Sequence, residues 1–150
     1  MTEAQAILGG DVSGHLIFKD RGYGFSDGAY AAARLLELLS RHKGDGPSLL
    51  DELPASHATP ELRVETGATD PAQLIAALTD IGRFIGSDDV ITTDGLRIEY
   101  HDGFGTVRAS PSGEDLVFRF EADSTRSLER IQTTFRQQLR RVAPRLQLPF

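Results

Sequence analysis

The chain has no cysteine among its 150 residues. That removes thiol catalysis, disulfide staples and thiolate metal ligands together, and it suits a reducing cytoplasm. No apolar run approaches the roughly 20 residues that a membrane helix needs. The start, Met1-Thr2-Glu3-Ala4-Gln5, lacks the basic opening of a secretory signal. A cytoplasmic protein with no membrane partner is therefore expected. Positive charge is not in excess either: 16 Lys and Arg face 22 Asp and Glu, a net charge of −6. That balance argues against nucleic acid as a general partner. The chain also lacks a Gly-x-Ser-x-Gly elbow, a Walker loop, a dinucleotide fingerprint and an Asp-x-Asp magnesium cluster. His15, His42, His57 and His101 form no helical i, i+4 ligand pair. No metal site, no cofactor bound by this chain and no catalytic nucleophile with an activating base are expected.

What is present suits one domain, or one domain with an appendage. The composition, 39% apolar and 25% charged, is that of a globular chain. Residues 26–42 read as a helix, with Ser26 or Asp27 as cap, a stripe of Ala32, Leu35, Leu36 and Leu39, and Gly44 as a left-handed stop. The linker-like stretch Gly44-Asp45-Gly46-Pro47-Ser48 places a boundary there, giving parts 1–46 and 47–150.

Beyond it, Leu62 and Val64 alternate with polar residues as in a half-buried strand. Asp70-Pro71 opens a helix lined by Leu74, Ile75, Leu78 and Ile81. Strands follow over Leu96–Tyr100 and Phe104–Arg108, joined by the turn His101-Asp102-Gly103, and a third over Leu116–Phe120. Ser124 starts a last helix, with Leu128, Ile131, Phe135, Leu139 and Val142 buried and Pro144 at its end. The order β-α-β-β-β-α reads as α+β, a mostly antiparallel sheet with two helices on one face, preceded by a strand-helix piece of an α/β domain. That last helix region carries Arg126, Arg130, Arg136, Arg140, Arg141 and Arg145 against the single acid Glu129. Such a run either steers phosphorylated ligands or is a solvated face with cations at its C-terminal dipole.

Two loops carry chemistry. Gly9-Gly10-Asp11-Val12-Ser13-Gly14-His15 sets a carboxylate, a hydroxyl and an imidazole before the apolar run Leu16-Ile17-Phe18. A carboxylate beside a hydroxyl suits vicinal sugar hydroxyls, and the same residue types also make an ordinary turn. In Arg108-Ala109-Ser110-Pro111-Ser112-Gly113 a guanidinium fork and two hydroxyls suit a phosphate. The alternative is a hairpin loop with a surface arginine, and the acids Glu114 and Asp115 next door oppose an anion.

These loops and their flanks resemble the alpha-D-phosphohexomutases, with the phosphomannomutase/phosphoglucomutase branch nearest. Gly9–His15, Lys19-Asp20-Arg21, Gly24-Phe25-Ser26-Asp27-Gly28 and Ala32–Glu37 resemble the family's third domain. Thr59-Pro60-Glu61, Thr92-Thr93-Asp94-Gly95, Val107-Arg108-Ala109-Ser110, Arg119-Phe120-Glu121-Ala122 and Leu148-Pro149-Phe150 resemble its fourth. The resemblance implies an isomerase that interconverts hexose 1- and 6-phosphates through a phosphoserine and a magnesium loop. It implies Asp11, Ser13 and His15 on the sugar hydroxyls of glucose or mannose phosphate, and Arg108, Ser110 and Ser112 on the phosphate. It also implies that residues 1–46 are the end of a third domain and 47–150 a fourth. The phosphoserine loop and the Asp-Gly-Asp-Gly-Asp-Arg metal loop belong to the family's first two domains, and these 150 residues hold neither. The chain by itself is thus expected to be inactive, with magnesium belonging to the full-length enzyme.

Several residues depart from the family pattern. Asp11 stands for a glutamate and is shorter by about 1.3–1.5 Å. Gly22 stands for an aromatic residue and Ser26 for an aspartate. Pro111 removes a side-chain amide and a backbone donor, and Glu114 adds negative charge beside the phosphate loop. A non-catalytic binding or interaction module that kept the fourth-domain fold is the alternative reading. The apolar face of helix 26–42 is expected to pack on the second part or to drive self-association.

Overall fold

The computed structural model describes residues 5–11, 14–44, 46–51 and 53–150. The chain divides into two compact units, Met1–Pro54 and Ala55–Phe150. No helix among the described residues is long and apolar enough to cross a membrane.

In the first unit β1 (Leu8–Gly10) pairs antiparallel with β2 (Leu16–Phe18), Gly10 opposite Leu16, which places Asp11 and His15 at the hairpin tip. α1 spans Gly28–Arg41. Its cap is Asp27, whose carboxylate accepts from the Tyr30 N–H at 3.1 Å, while Ser26 forms a bridge with Ile17. The turn between β2 and α1 is tied down by charge. Arg34 donates to the Asp20 carboxylate at 3.2 and 3.3 Å with its guanidinium 4.7 Å from the Phe18 ring centre, and Arg21 donates to both oxygens of Glu37. Gly22 sits inside this turn. A Cβ there would lie 2.7 Å from the Phe18 carbonyl oxygen and 3.2 Å from the Tyr30 ring. The glycine that departs from the family's aromatic is therefore imposed by a close backbone approach.

The stop of α1 differs from expectation. His42, in extended conformation, ends the helix with its N–H shared between the Leu38 and Leu39 carbonyls, and Gly44 has no positive φ. The linker-like stretch also contains the start of a short helix, α2 (Gly46–Asp51). Pro47 at its first turn explains how a stretch rich in glycine and proline can still open a helix. No residue of α1 is buried, and Leu35, Leu36 and Leu38 are all more than half exposed.

The second unit is a six-stranded antiparallel sheet. β8 (Asp115–Ala122) is central and pairs on one side with β7 (Gly103–Ala109), which pairs with β6 (Leu96–Tyr100) and then β5 (Asp89–Ile91). Along its other side β8 takes both β3 (His57–Ala58) and β4 (Leu62–Glu65). α3 (Pro71–Ile81) and α4 (Thr125–Val142) follow the order read from periodicity, capped by Asp70 and Ser124 as expected. The strands β3 and β5 were not visible in the alternation, because two or three residues are too few to show a period.

Register puts Leu96, Ile98, Val107, Leu116, Phe118 and Phe120 on one face, where Leu74 and Leu78 of α3 and Ile131, Phe135 and Leu139 of α4 complete the core. Phe135 packs over Gly105, where a Cβ would stand 2.5 Å from its ring. Gln138 is the buried polar exception, its side-chain oxygen accepting from the Arg83 N–H at 3.0 Å and from Arg141 at 2.9 Å. The opposite face is charged. There Val117 lies between Arg63 and Arg108 in register and is only 2% exposed, as expected if the arginine stems cover it.

Asp102, in the β6–β7 turn, ties that turn to α4 by accepting from Arg130 at 2.5 Å. Hydrogen bonding from the Ser127 hydroxyl, joined by Arg130, holds its carboxyl below the usual aspartate range. A depressed carboxyl stabilises the fold above its unfolded pKa, about 3.9, and that contribution is lost as pH falls through the folded value. Asp102→Asn should lower the melting temperature at pH 7, and its deficit against wild type should narrow as pH drops below about 4. A deficit unchanged across that range in thermal melts would contradict this.

Candidate functional site

In the first unit Asp11 and His15 face each other across the hairpin tip. The His15 N–H donates to one carboxylate oxygen of Asp11 at 3.1 Å, and His15 Nδ1 lies 3.0 Å from the other. The Asp11 N–H reaches back to the His15 carbonyl, and Gly14, at φ +87°, allows the turn. Both side chains are more than half exposed. The tip thus sets a carboxylate beside an imidazole, held by the loop's own hydrogen bonds. Ser13, the third candidate here, lies outside the described residues.

In the second unit Arg108, Ser110 and Ser112 come together at the β7–β8 hairpin. The Ser110 N–H donates to the Asp115 carbonyl at 2.8 Å, and the Gly113 N–H to the Ser110 carbonyl at 2.9 Å. These bonds close a tight turn over Pro111, Ser112 and Gly113, with Gly113 at φ +75°. Ser110 is buried, and its hydroxyl accepts from the Asp115 N–H at 3.2 Å and lies 3.0 Å from that of Ser112. Ser110 therefore builds the turn, while the exposed Ser112 carries the hydroxyl open to a ligand. From below, the buried Thr66 hydroxyl donates to the Glu114 carbonyl at 3.0 Å and holds the far end of the turn.

Arg108 has a partner that sequence reading did not assign. Its Nη2 donates to Glu61 Oε1 at 2.9 Å, and each side chain is about one third exposed (33% and 32%). Glu61 lies 47 residues away in sequence. Only the pairing of β4 with β8 brings the two together, and no local pattern announces it. Gly95 also stands against this site: at φ +80°, a Cβ there would lie 2.8 Å from Arg108 Cα and closer still to the Val107 carbonyl. The turn Thr92–Gly95 thus needs its glycine to reach the β7 backbone.

An anion that engages Arg108 must share it with Glu61 or displace it. A one-third-exposed pair is worth at most about 1 kcal/mol. Glu61→Gln should therefore strengthen phosphate binding severalfold and change unfolding free energy by less than about 0.5 kcal/mol. Weaker binding in calorimetry would show that Glu61 positions the guanidinium rather than competing for it.

Among the described residues no three His, Cys, Asp or Glu side chains gather closely enough to hold a metal ion. The described residues do not fit a magnesium site.

The profile of the family "Phosphoglucomutase/phosphomannomutase, alpha/beta/alpha domain III" matches residues 1–57. A phosphomannomutase/phosphoglucomutase of Pseudomonas aeruginosa is 43% identical over all of this chain, which covers 32% of that protein. A phosphoglucomutase of Neisseria gonorrhoeae is 47% identical over 91% of the chain and 30% of its own length. A crystal structure of a phosphoglucomutase/phosphomannomutase family protein from Burkholderia thailandensis superposes with a TM-score of 0.85 at 46% identity, covering 99% of this chain and 31% of that one. The chain thus spans about a third of the length of the relatives it matches. Sequence and overall fold match along nearly all of its length, and the chain belongs to the phosphoglucomutase/phosphomannomutase branch of the alpha-D-phosphohexomutases.

Proposed function

We propose that the chain holds a phosphorylated hexose, glucose or mannose phosphate, within a phosphomannomutase/phosphoglucomutase that interconverts hexose 1- and 6-phosphates. The observation that carries this reading is the β7–β8 turn, where the Arg108 guanidinium, the Ser112 hydroxyl and the Gly113 backbone edge border one small loop. A guanidinium fork beside hydroxyl donors is the chemistry of phosphate capture. In the first unit Asp11 and His15, with Ser13, take sugar hydroxyls. Residues 1–46 act as the sugar-binding domain's end and 47–150 as the phosphate-binding domain.

These residues bind and orient, and none has the means to move a phosphoryl group. Transfer needs an in-line donor and a cation that neutralises the developing charge. The isolated chain is therefore a ligand-holding module with no turnover of its own.

Calorimetric titration with glucose 6-phosphate, against glucose as control, tests the reading. Binding near the millimolar range, about 4 kcal/mol, is expected for the phosphate ester and none for glucose. Equal heats from both would overturn the assignment of the turn to phosphate. In a mutase assay primed with glucose 1,6-bisphosphate, substrate-dependent turnover would overturn the claim of inactivity.

A further inference from the structure

Among the described residues of Met1–Pro54 none is buried. The unit is nonetheless rich in large apolar side chains: Ile7, Leu8, Phe25, Leu35, Leu36 and Leu38 are each more than half exposed. Between β2 and α1 lies a shallow recess of about 320 Å³, whose apolar lining is Leu16, Phe18, Ala31, Leu35 and Leu38. The ion pairs of Glu37 with Arg21 and Arg34 hold the β2–α1 turn and leave these leucines bare. β1 pairs with β2 alone among the described strands, so its other edge carries no ladder. A two-stranded hairpin is marginal in water, and an open strand edge beside an apolar face is a template for a further strand.

Two findings say what covers this surface. The family model that matches residues 1–57 is that of an alpha/beta/alpha domain, in which helices cover both faces of a central sheet. The first unit supplies a hairpin, α1 and the short α2, and no central sheet among its described residues. The relatives are about three times as long as their match to this chain, so they carry ample polypeptide to supply that sheet.

We infer that the apolar surface of the first unit is a docking face for the complementary portion of an α/β/α mutase domain, and that this portion docks even from a separate polypeptide. A strand of the incoming portion extends the hairpin at β1 through main-chain hydrogen bonds. Its sheet face seats apolar side chains in the recess between β2 and α1. A second copy of this chain is the poorer occupant, because it brings the same hairpin and helix and no central sheet. The inference does not depend on phosphate capture at the β7–β8 turn.

Co-expression with the Pseudomonas aeruginosa relative, shortened by the 32% that this chain matches, tests it. A soluble one-to-one complex in size-exclusion chromatography with light scattering is expected. Hydrogen exchange should slow at least about tenfold in residues 7–18 and 31–39 relative to the chain alone, and stay unchanged in residues 96–122. Leu35→Asp with Leu38→Asp, both on the exposed surface, should abolish the complex without moving the melting temperature of the second unit. The uncut relative, whose own segment already fills this place, should not assemble with the chain. A homodimer closed by the same leucines would overturn the inference, as would equal capture of the cut and uncut relatives. A shortened relative that stays insoluble or unassembled beside the wild-type chain would overturn it too.

Discussion

Phe135→Ala should cost the second unit about 3–5 kcal/mol. Phe135 is fully buried and joins α4 to the sheet and to the segment after α3: it meets Phe120 edge-on at 5.2 Å and Phe84 at 5.0 Å, and fits over Gly105. Truncation removes the ring's transfer free energy and two aromatic contacts, each worth about 0.5–1.5 kcal/mol. It leaves a cavity that the surrounding strands cannot close, because Phe118 and Phe120 are themselves locked against Phe150. Since domains are stable by only about 5–15 kcal/mol, the loss brings the unit near unfolding. Phe135→Leu should cost far less and keep the fold measurable. Urea unfolding should show a lower midpoint with an unchanged slope. A loss under about 1 kcal/mol for the alanine variant would mean that the helix layer does not depend on this ring.

Arg108→Ala should weaken binding of glucose 6-phosphate by about 1.5–3 kcal/mol, some 10- to 150-fold, which takes a millimolar ligand out of reach. The side chain sits at the end of β7, held in register opposite Val117, so its guanidinium stands beside the turn at a fixed height. Lysine should rescue little, because a point charge cannot reproduce the fork. The fold should barely respond, since the pair with Glu61 is partly exposed. Ser112→Ala should cost only about 0.5–1.5 kcal/mol of binding, as one neutral hydroxyl. Unchanged affinity in Arg108→Ala would move the phosphate elsewhere on the chain.

Much of this was legible beforehand, and the reason differs by element. α3 and α4 announce themselves through an N-cap, a proline or serine start and an apolar stripe at helical spacing, all local signals. β6 alternates cleanly because one face meets the helices and the other is more open, and β8 does so except at Val117. The loops at 9–15 and 108–113 stood out because glycines bracket concentrated polar groups. What stayed hidden is non-local or very short. Glu61 reaches Arg108 only through the β4–β8 pairing, and Gly95 is needed only because β7 passes beside it. Ser110 looked like a ligand hydroxyl by type. Burial and its bond to the Asp115 N–H give it a part in building the turn. Gly44 looked like a helix stop, and the helix instead ends at His42 in an extended conformation.

The decisive measurement is a glucose 6-phosphate titration of the isotope-labelled chain followed amide by amide. Saturable shifts should centre on the backbone of residues 108–113, since phosphate gripped beside Arg108 changes the field at each N–H of that turn. A spectrum in which those amides stay still up to several millimolar ligand would contradict phosphate capture by this fold.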